Sequence, residues 1–87
     1  MRIRNIDKYL TYMIIEFREN CERSAYVNEF EAKKALWKTA VFVYEHSADP
    51  DDFLDELREA SIGTITAAHV EATLTSARKR AVGNGTH

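Results

Sequence analysis

Eighty-seven residues make one domain, and a folded chain of that size buries only roughly 60–65% of the surface its unfolded form exposes, so the core is thin. At 45% apolar, with nine aromatic residues against three Gly and one Pro, the composition excludes intrinsic disorder. A net charge of −2, a single Cys and the absence of any apolar run near ~20 residues exclude a broadly basic nucleic-acid binder, an internal disulfide or cysteine-based zinc cluster, and a membrane helix.

A first helix is predicted over Ile6–Glu22. Ile6, Leu10, Met13 and Phe17 recur at spacings of four, three and four, one face of a helical period, with Tyr9 and Ile14 flanking them. Tyr12 and Ile15 fall outside that stripe, so the helix carries apolar material on a second face. The stretch MRIRNIDKYLTYMIIEF is broken by Asp7, Lys8 and Glu16 where a signal peptide is uninterrupted, which makes the cytoplasm the expected location. Its first four residues, MRIR, also fit a short extended arm.

CERSAYV reads as a turn. Asn28 followed three positions later by Glu31 resembles a capping box, with Val27 placed as its hydrophobic staple. The second helix is predicted over Glu29–His46. Phe30, Trp37, Val41 and Tyr44 form its main stripe, Leu36, Ala40 and Val43 widen it, and Phe42 and Ala35 lie on another side. Glu31, Lys34 and Lys38 are left as a narrow polar strip, which marks this as the central helix.

Asp49-Pro50 starts a third helix over Pro50–Ser61: Asp as N-cap, Pro at the first helical position and Asp52 three beyond. It is expected to bury Phe53, Leu54, Leu57 and Ala60 and to stop near Gly63. Thr66 caps the last helix, with Ile65 and Val70 as a staple pair. Its stripe of Ala67, Val70, Leu74, Ala77 and Ala81 is mostly small, and Arg78, Lys79 and Arg80 are placed in its last turn, where cations suit the helix dipole. The expected fold is all-α, a compact bundle of about four helices with short connections. One helical domain spans 1–82, and a flexible C-terminal tail spans 83–87.

Catalysis is not expected. Cys21 and the serines lack a recognisable nucleophile motif; Arg18 and Arg23 near Cys21 would in principle lower its thiol pKa, but the expected reading is a small part-buried residue at the end of an amphipathic helix. HSADPDD lacks the alternating ligands and central Gly of a calcium loop, and His69 and Glu71 diverge by about 200° around a helix, so no metal site is expected. Gly63, Gly83 and Gly85 make no phosphate-binding fingerprint, and no cofactor is expected. Carboxylates four apart in the third helix, Asp52 with Glu56 and Asp55 with Glu59, share one exposed face. Acid–base hydrolysis needs carboxylates facing each other across a cleft.

The last two helices and their Gly-containing turn fit a helix-turn-helix outline. The outward face of the second of them has almost no Arg, Asn or Gln for base contacts, and the preceding helix would set carboxylates against phosphate. Arg78, Lys79 and Arg80 are the alternative nucleic-acid contact, but nucleic acid is not the expected partner.

Charge patterning carries the functional expectation. Residues 45–59 sum to −6, while 24–44 sum to +1 and 71–87 to +2. Like charges one helical turn apart cost about 0.2–0.5 kcal/mol per pair, and capping accounts for only part of the cluster. Clustered acids suit a basic partner, because complementary fields steer encounter and suppress wrong partners. The expected function is a small non-enzymatic protein-protein interaction module that binds a basic or nucleic-acid-binding protein through Glu45, Asp51, Asp52, Asp55, Glu56 and Glu59, with inhibition of that partner as one form the binding can take. An ordinary solvated acidic face is the plain alternative. Tyr12, Ile15 and Phe42 exceed what one small core covers, which points to self-association as a homodimer, and a homo-oligomeric structural role is the other alternative.

Overall fold

Four stretches of helical periodicity, separated by short polar turns, form α1 (Ile6–Glu22), α2 (Glu29–His46), α3 (Pro50–Ser61) and α4 (Ala67–Gly85). The computed structural model describes residues 6–85, and there is no strand among them. The MRIR segment and residues 86–87 lie outside the described residues. Because α4 runs through Gly85, the segment expected to leave the fold after Val82 begins as helix. Arg78, Lys79 and Arg80 therefore stand before the last turn rather than in it, too early to act on the end of the dipole.

Local chemistry sets most helix ends. Asn28, extended at φ −157° and ψ 176°, accepts the Glu31 N–H on Oδ1 at 3.0 Å, a cap that contributes about 1 kcal/mol. Val27 does not staple this end and is 89% exposed; the residue it should meet, Ala32, is small and drawn into the core. Pro50 opens α3 as its position predicts, but Asp49 makes no side-chain cap. Its ψ of 79°, against 176° at Asn28, carries the carboxylate away from the helix N–H groups, and its own N–H donates to Ser47 Oγ at 3.1 Å. Gly63 ends α3 at φ +84°, a left-handed conformation that favours glycine. The Ser61 carbonyl accepts from both Thr64 and Ile65 N–H there, each at 3.0 Å.

α1 packs chiefly on α3, and α2 chiefly on α4. α2 and α3 each touch all three other helices, so α2 does not stand alone at the centre, whereas α1 and α4 do not meet. The result is two layers, α1/α3 and α2/α4, around one core.

The buried faces are rotated from the predicted stripes. In α1, Leu10, Ile14, Phe17 and Cys21 are buried, while Ile6 and Met13 are only half-buried. In α2 the shift is larger: Phe30 is 62% exposed and Trp37, Val41 and Tyr44 are half-buried, while Ala32, Leu36, Ala40 and Val43 are fully buried. A helix that is apolar around half its circumference leaves the choice of its central line to its neighbours, and small alanines let those neighbours come closest. In α4, Val70, Leu74 and Ala77 are buried, and Ala67, expected among them, is exposed. Thr39 and Ser61 are buried with their hydroxyls donating to the carbonyls of Ala35 and Leu57 at 2.9 and 2.8 Å. No buried side-chain N or O is left unpaired among the described residues.

Candidate functional site

With Leu54, Leu57, Ala60 and Ser61 turned inward, the 3.6-residue period leaves Asp51, Asp52, Asp55 and Glu59 on the outer side of α3. The flanks of this face are tied to neighbouring helices. Glu56 meets Arg18 of α1 at 4.0 Å. Arg58 reaches α4, donating from Nε to Glu71 Oε2 at 2.8 Å and from Nη2 to Oε1 at 3.2 Å, and turns back to Asp55 Oδ1 from Nη1 at 2.7 Å. Glu71, and after it Asp55, raise the Arg58 pKa, and together they neutralise the single cation of α3.

Asp51, Asp52 and Glu59 have no ion pair among the described residues. Glu45, grouped with them by sequence, stands instead in the last turn of α2, in the other layer, and already has an interaction partner within the chain. The charge blocks of the sequence thus become a division between layers. α1 and α3 carry nine carboxylates against three Lys or Arg, a net of −6, whereas α2 and α4 carry four against six, a net of +2.

An open cleft of ≈ 690 Å³ lies where α3 gives way to α4. The staple pair Ile65 and Val70, 5% and 4% exposed, forms its base, and Ile62 stands at its lip 78% exposed. Glu59 lines this cleft as well as the outer face of α3, so the two features are continuous.

Glu29, the first residue of α2, closes the far side. Its Oε2 accepts the Thr66 N–H at 2.9 Å and the Thr66 hydroxyl at 2.7 Å, and its Oε1 lies 2.7 Å from His69 Nδ1. The Thr66 hydroxyl first, then the Thr66 N–H and His69, hold this carboxyl down at about 2. Thr66 begins α4 as predicted, its carbonyl taking the Val70 N–H at 2.9 Å, but its hydroxyl goes to Glu29 and not to its own helix. The Thr66 hydroxyl also lies 3.0 Å from His69 Nδ1. Carboxylate and hydroxyl thus meet the same ring nitrogen, whereas a nucleophilic triad places them on opposite ones.

Cys21 is buried, as the favoured reading expects, and burial pushes its pKa up in place of the lowering its arginine neighbours would in principle give. Those arginines are engaged elsewhere: Arg18 with Glu56, and Arg23 with Asn20 Oδ1 at 2.6 Å. His46 packs on Phe42, with 4.2 Å between ring centroids. No group of three or more His, Cys, Asp or Glu is placed to hold a metal ion among the described residues. No described helix is long and apolar enough to cross a membrane.

Of the residues expected in self-association, Tyr12 and Ile15 are 70% and 40% exposed on α1, with Tyr9 beside them at 47%. Phe42 is not on that surface. It is half-buried between Tyr9, at 5.6 Å, and His46, because α1 and α2 meet there. Arg78, Lys79 and Arg80 are exposed on α4.

Sequence reading passed over Glu29 and Ile62. Nothing near Glu29 announces its role, since its partners are 37 and 40 residues away. Ile62 did carry a signal: an isoleucine directly before the glycine that ends a helix sits at a turn, where burial is hard to arrange.

Fold and surface define a small all-α domain of four helices with charge divided between its two layers. Comparison with protein-family models, with curated proteins and with solved structures found no match to this chain.

Proposed function

We propose that this chain is a non-catalytic protein-protein interaction module of the cytoplasm whose α3 face binds a basic partner. One observation carries the reading. Arg58, the single cation on α3, is neutralised by two carboxylates, while Asp51, Asp52 and Glu59 have no ion pair among the described residues. A face of one sign, spread along a helix of 12 residues, meets a cationic surface at several points and speeds encounter with it. Where that surface is the groove of a nucleic-acid-binding protein, occupancy by α3 competes with phosphate and inhibits.

Affinity capture from native lysate, run with and without nuclease, tests this. The expected result is one stoichiometric basic protein that is lost from Asp51→Lys/Asp52→Lys/Glu59→Lys while the helical circular dichroism signal is retained. These three positions are chosen because reversing them leaves the Arg18 and Arg58 pairs intact. Capture unaffected by the reversal refutes the acidic face. Recovery of only nuclease-sensitive proteins moves the function to Arg78, Lys79 and Arg80.

Self-association is a second reading, supported by the exposure of Tyr9, Tyr12 and Ile15 along a shallow groove of ≈ 490 Å³ on α1. Sedimentation of Tyr12→Asp/Ile15→Asp against the unmodified protein tests it. Compact, folded monomers of the unmodified protein at high concentration exclude it.

A further inference from the structure

We propose that the cleft between α3 and α4 is an anchor socket: it takes one apolar side chain from a cationic segment of the partner protein, whose Lys or Arg side chains lie along Asp51, Asp52, Asp55 and Glu59. The proposal rests on the acidic-face reading and supplies the apolar half of the recognition.

Three features point to this occupant. The base of the cleft is apolar and firmly held, since Ile65 and Val70 are each at least nine-tenths buried within the fold. Its volume of ≈ 690 Å³ lies within the range of about 300–1,000 Å³ typical of ligand sites, yet it is open, a shape suited to a side chain delivered by another chain. Ile62, 78% exposed at the lip, is an isoleucine that folding leaves in water and that a docked side chain would cover.

The rim selects the charge of what enters. Glu29, Glu59 and Glu71 surround the cleft with Arg58 as the one Lys or Arg, and Arg58 is neutralised by Glu71 and Asp55. Glu29 is held by Thr66 and His69, which leaves Glu59 as the rim carboxylate without an ion pair among the described residues, and Glu59 is also the end of the acidic face. A small cationic amphiphile would satisfy the cleft alone. The unpaired charges of Asp51 and Asp52 lie two turns away toward the other end of α3, about 10–12 Å along the axis. Only an extended ligand with cations at several points reaches both, and a polypeptide with an apolar residue flanked by Lys or Arg has that form. Burial of the apolar residue adds affinity that does not depend on salt, while the flanking cations contribute the salt-sensitive part.

Two synthetic helical peptides test the proposal on the full chain. One carries a single Leu flanked by Lys on the adjacent turns, and the other has Ser in place of that Leu. Binding is read at low and high salt by calorimetry and by methyl chemical shifts of labelled Ile and Val. The Leu peptide is expected to bind at least about tenfold more tightly and to shift the methyls of Ile62, Ile65 and Val70. Ile62→Ser, at an exposed position where folding is not at stake, should remove most of that advantage and leave the Ser peptide unaffected.

Equal affinities with silent cleft methyls overturn the socket while leaving the acidic face standing, provided Asp51→Lys/Asp52→Lys/Glu59→Lys abolishes both interactions. Leu-dependent shifts at Ile15 in place of Ile62 also overturn it, assigning the contact to α1. If neither peptide binds at low salt, the acidic-face reading falls together with the socket.

Discussion

Glu29 and His69, forty residues apart in the chain, meet with Oε1 2.7 Å from Nδ1 and join the start of α2 to the start of α4. The Thr66 N–H and hydroxyl complete the junction on the other carboxylate oxygen. A capping box normally takes its acid from the third position of the same helix. Here that position in α4 is His69, and a carboxylate from another helix takes its place, so the cap also serves as a tertiary contact.

This junction predicts a pH signature. Glu29 titrates at about 2 in the fold against an ordinary 4.5. A depressed folded-state pKa stabilises fully above the ordinary value, and the effect fades as pH falls through the folded one. The difference in melting temperature between the unmodified protein and Glu29→Gln should therefore hold steady from pH 7 to about 5, shrink below about 4.5 and vanish near 2. A gap that is the same at pH 7 and pH 2 would show that the carboxylate charge is not what matters.

Arg58 and Glu71 should couple modestly. Both are well exposed, at 42% and 57%, and pairs in such positions contribute about 0.2–1 kcal/mol. A double-mutant cycle with Arg58→Gln and Glu71→Gln is expected to give a coupling in that range that weakens in 1 M salt. Zero coupling at low salt would reduce the bidentate geometry to a contact without energetic weight.

Gly63→Ala should destabilise through the backbone alone. At φ +84° an L side chain is strained, but a Cβ there meets nothing within 4 Å. The expected loss is about 1–2 kcal/mol, seen as a fall of roughly 4–16 °C in melting temperature for a domain of this size. Gly63→Asn should cost less, because Asn tolerates the left-handed region. A neutral Gly63→Ala would show that the turn has another accessible conformation.

Leu36→Ala and Phe30→Ala discriminate the observed α2 face from the predicted one. Leu36 is fully buried, and its truncation should cost about 2–5 kcal/mol by urea denaturation. Phe30 is 62% exposed, and its truncation should stay within about 0.5 kcal/mol. Comparable losses would restore the sequence-derived stripe.

Cys21 should react slowly with thiol reagents. Its raised pKa and its burial both lower the exposed thiolate population. Labelling with a disulfide reagent at pH 8 is expected to be much slower in the native protein than in denaturant. Equal rates would place the thiol at the surface.

Charge on α3 was legible without a structure, because Asp51, Asp52, Asp55, Glu56 and Glu59 follow one another on a helix whose period alone turns them outward. The cleft was not. It needs Glu29 of α2 beside Ile62 and Val70, and no pattern within α3 or α4 predicts that meeting. Phe42 shows the same limit from the opposite side: an aromatic residue off the main stripe reads as surplus until Tyr9 of α1 covers it.

Sequence by itself determined the four helices, all their limits but the end of α4, and the acidity of the third, because the Asn28 cap, Pro50, Gly63 and side-chain periodicity act within a turn or two of backbone. Tertiary structure alone decided which helices pair, which line of α2 is central and which carboxylates remain unpaired. Those choices depend on contacts between residues far apart in the chain. For a helix apolar on several sides, like α2, the local pattern is satisfied by more than one packing, and the fit of its neighbours selects among them.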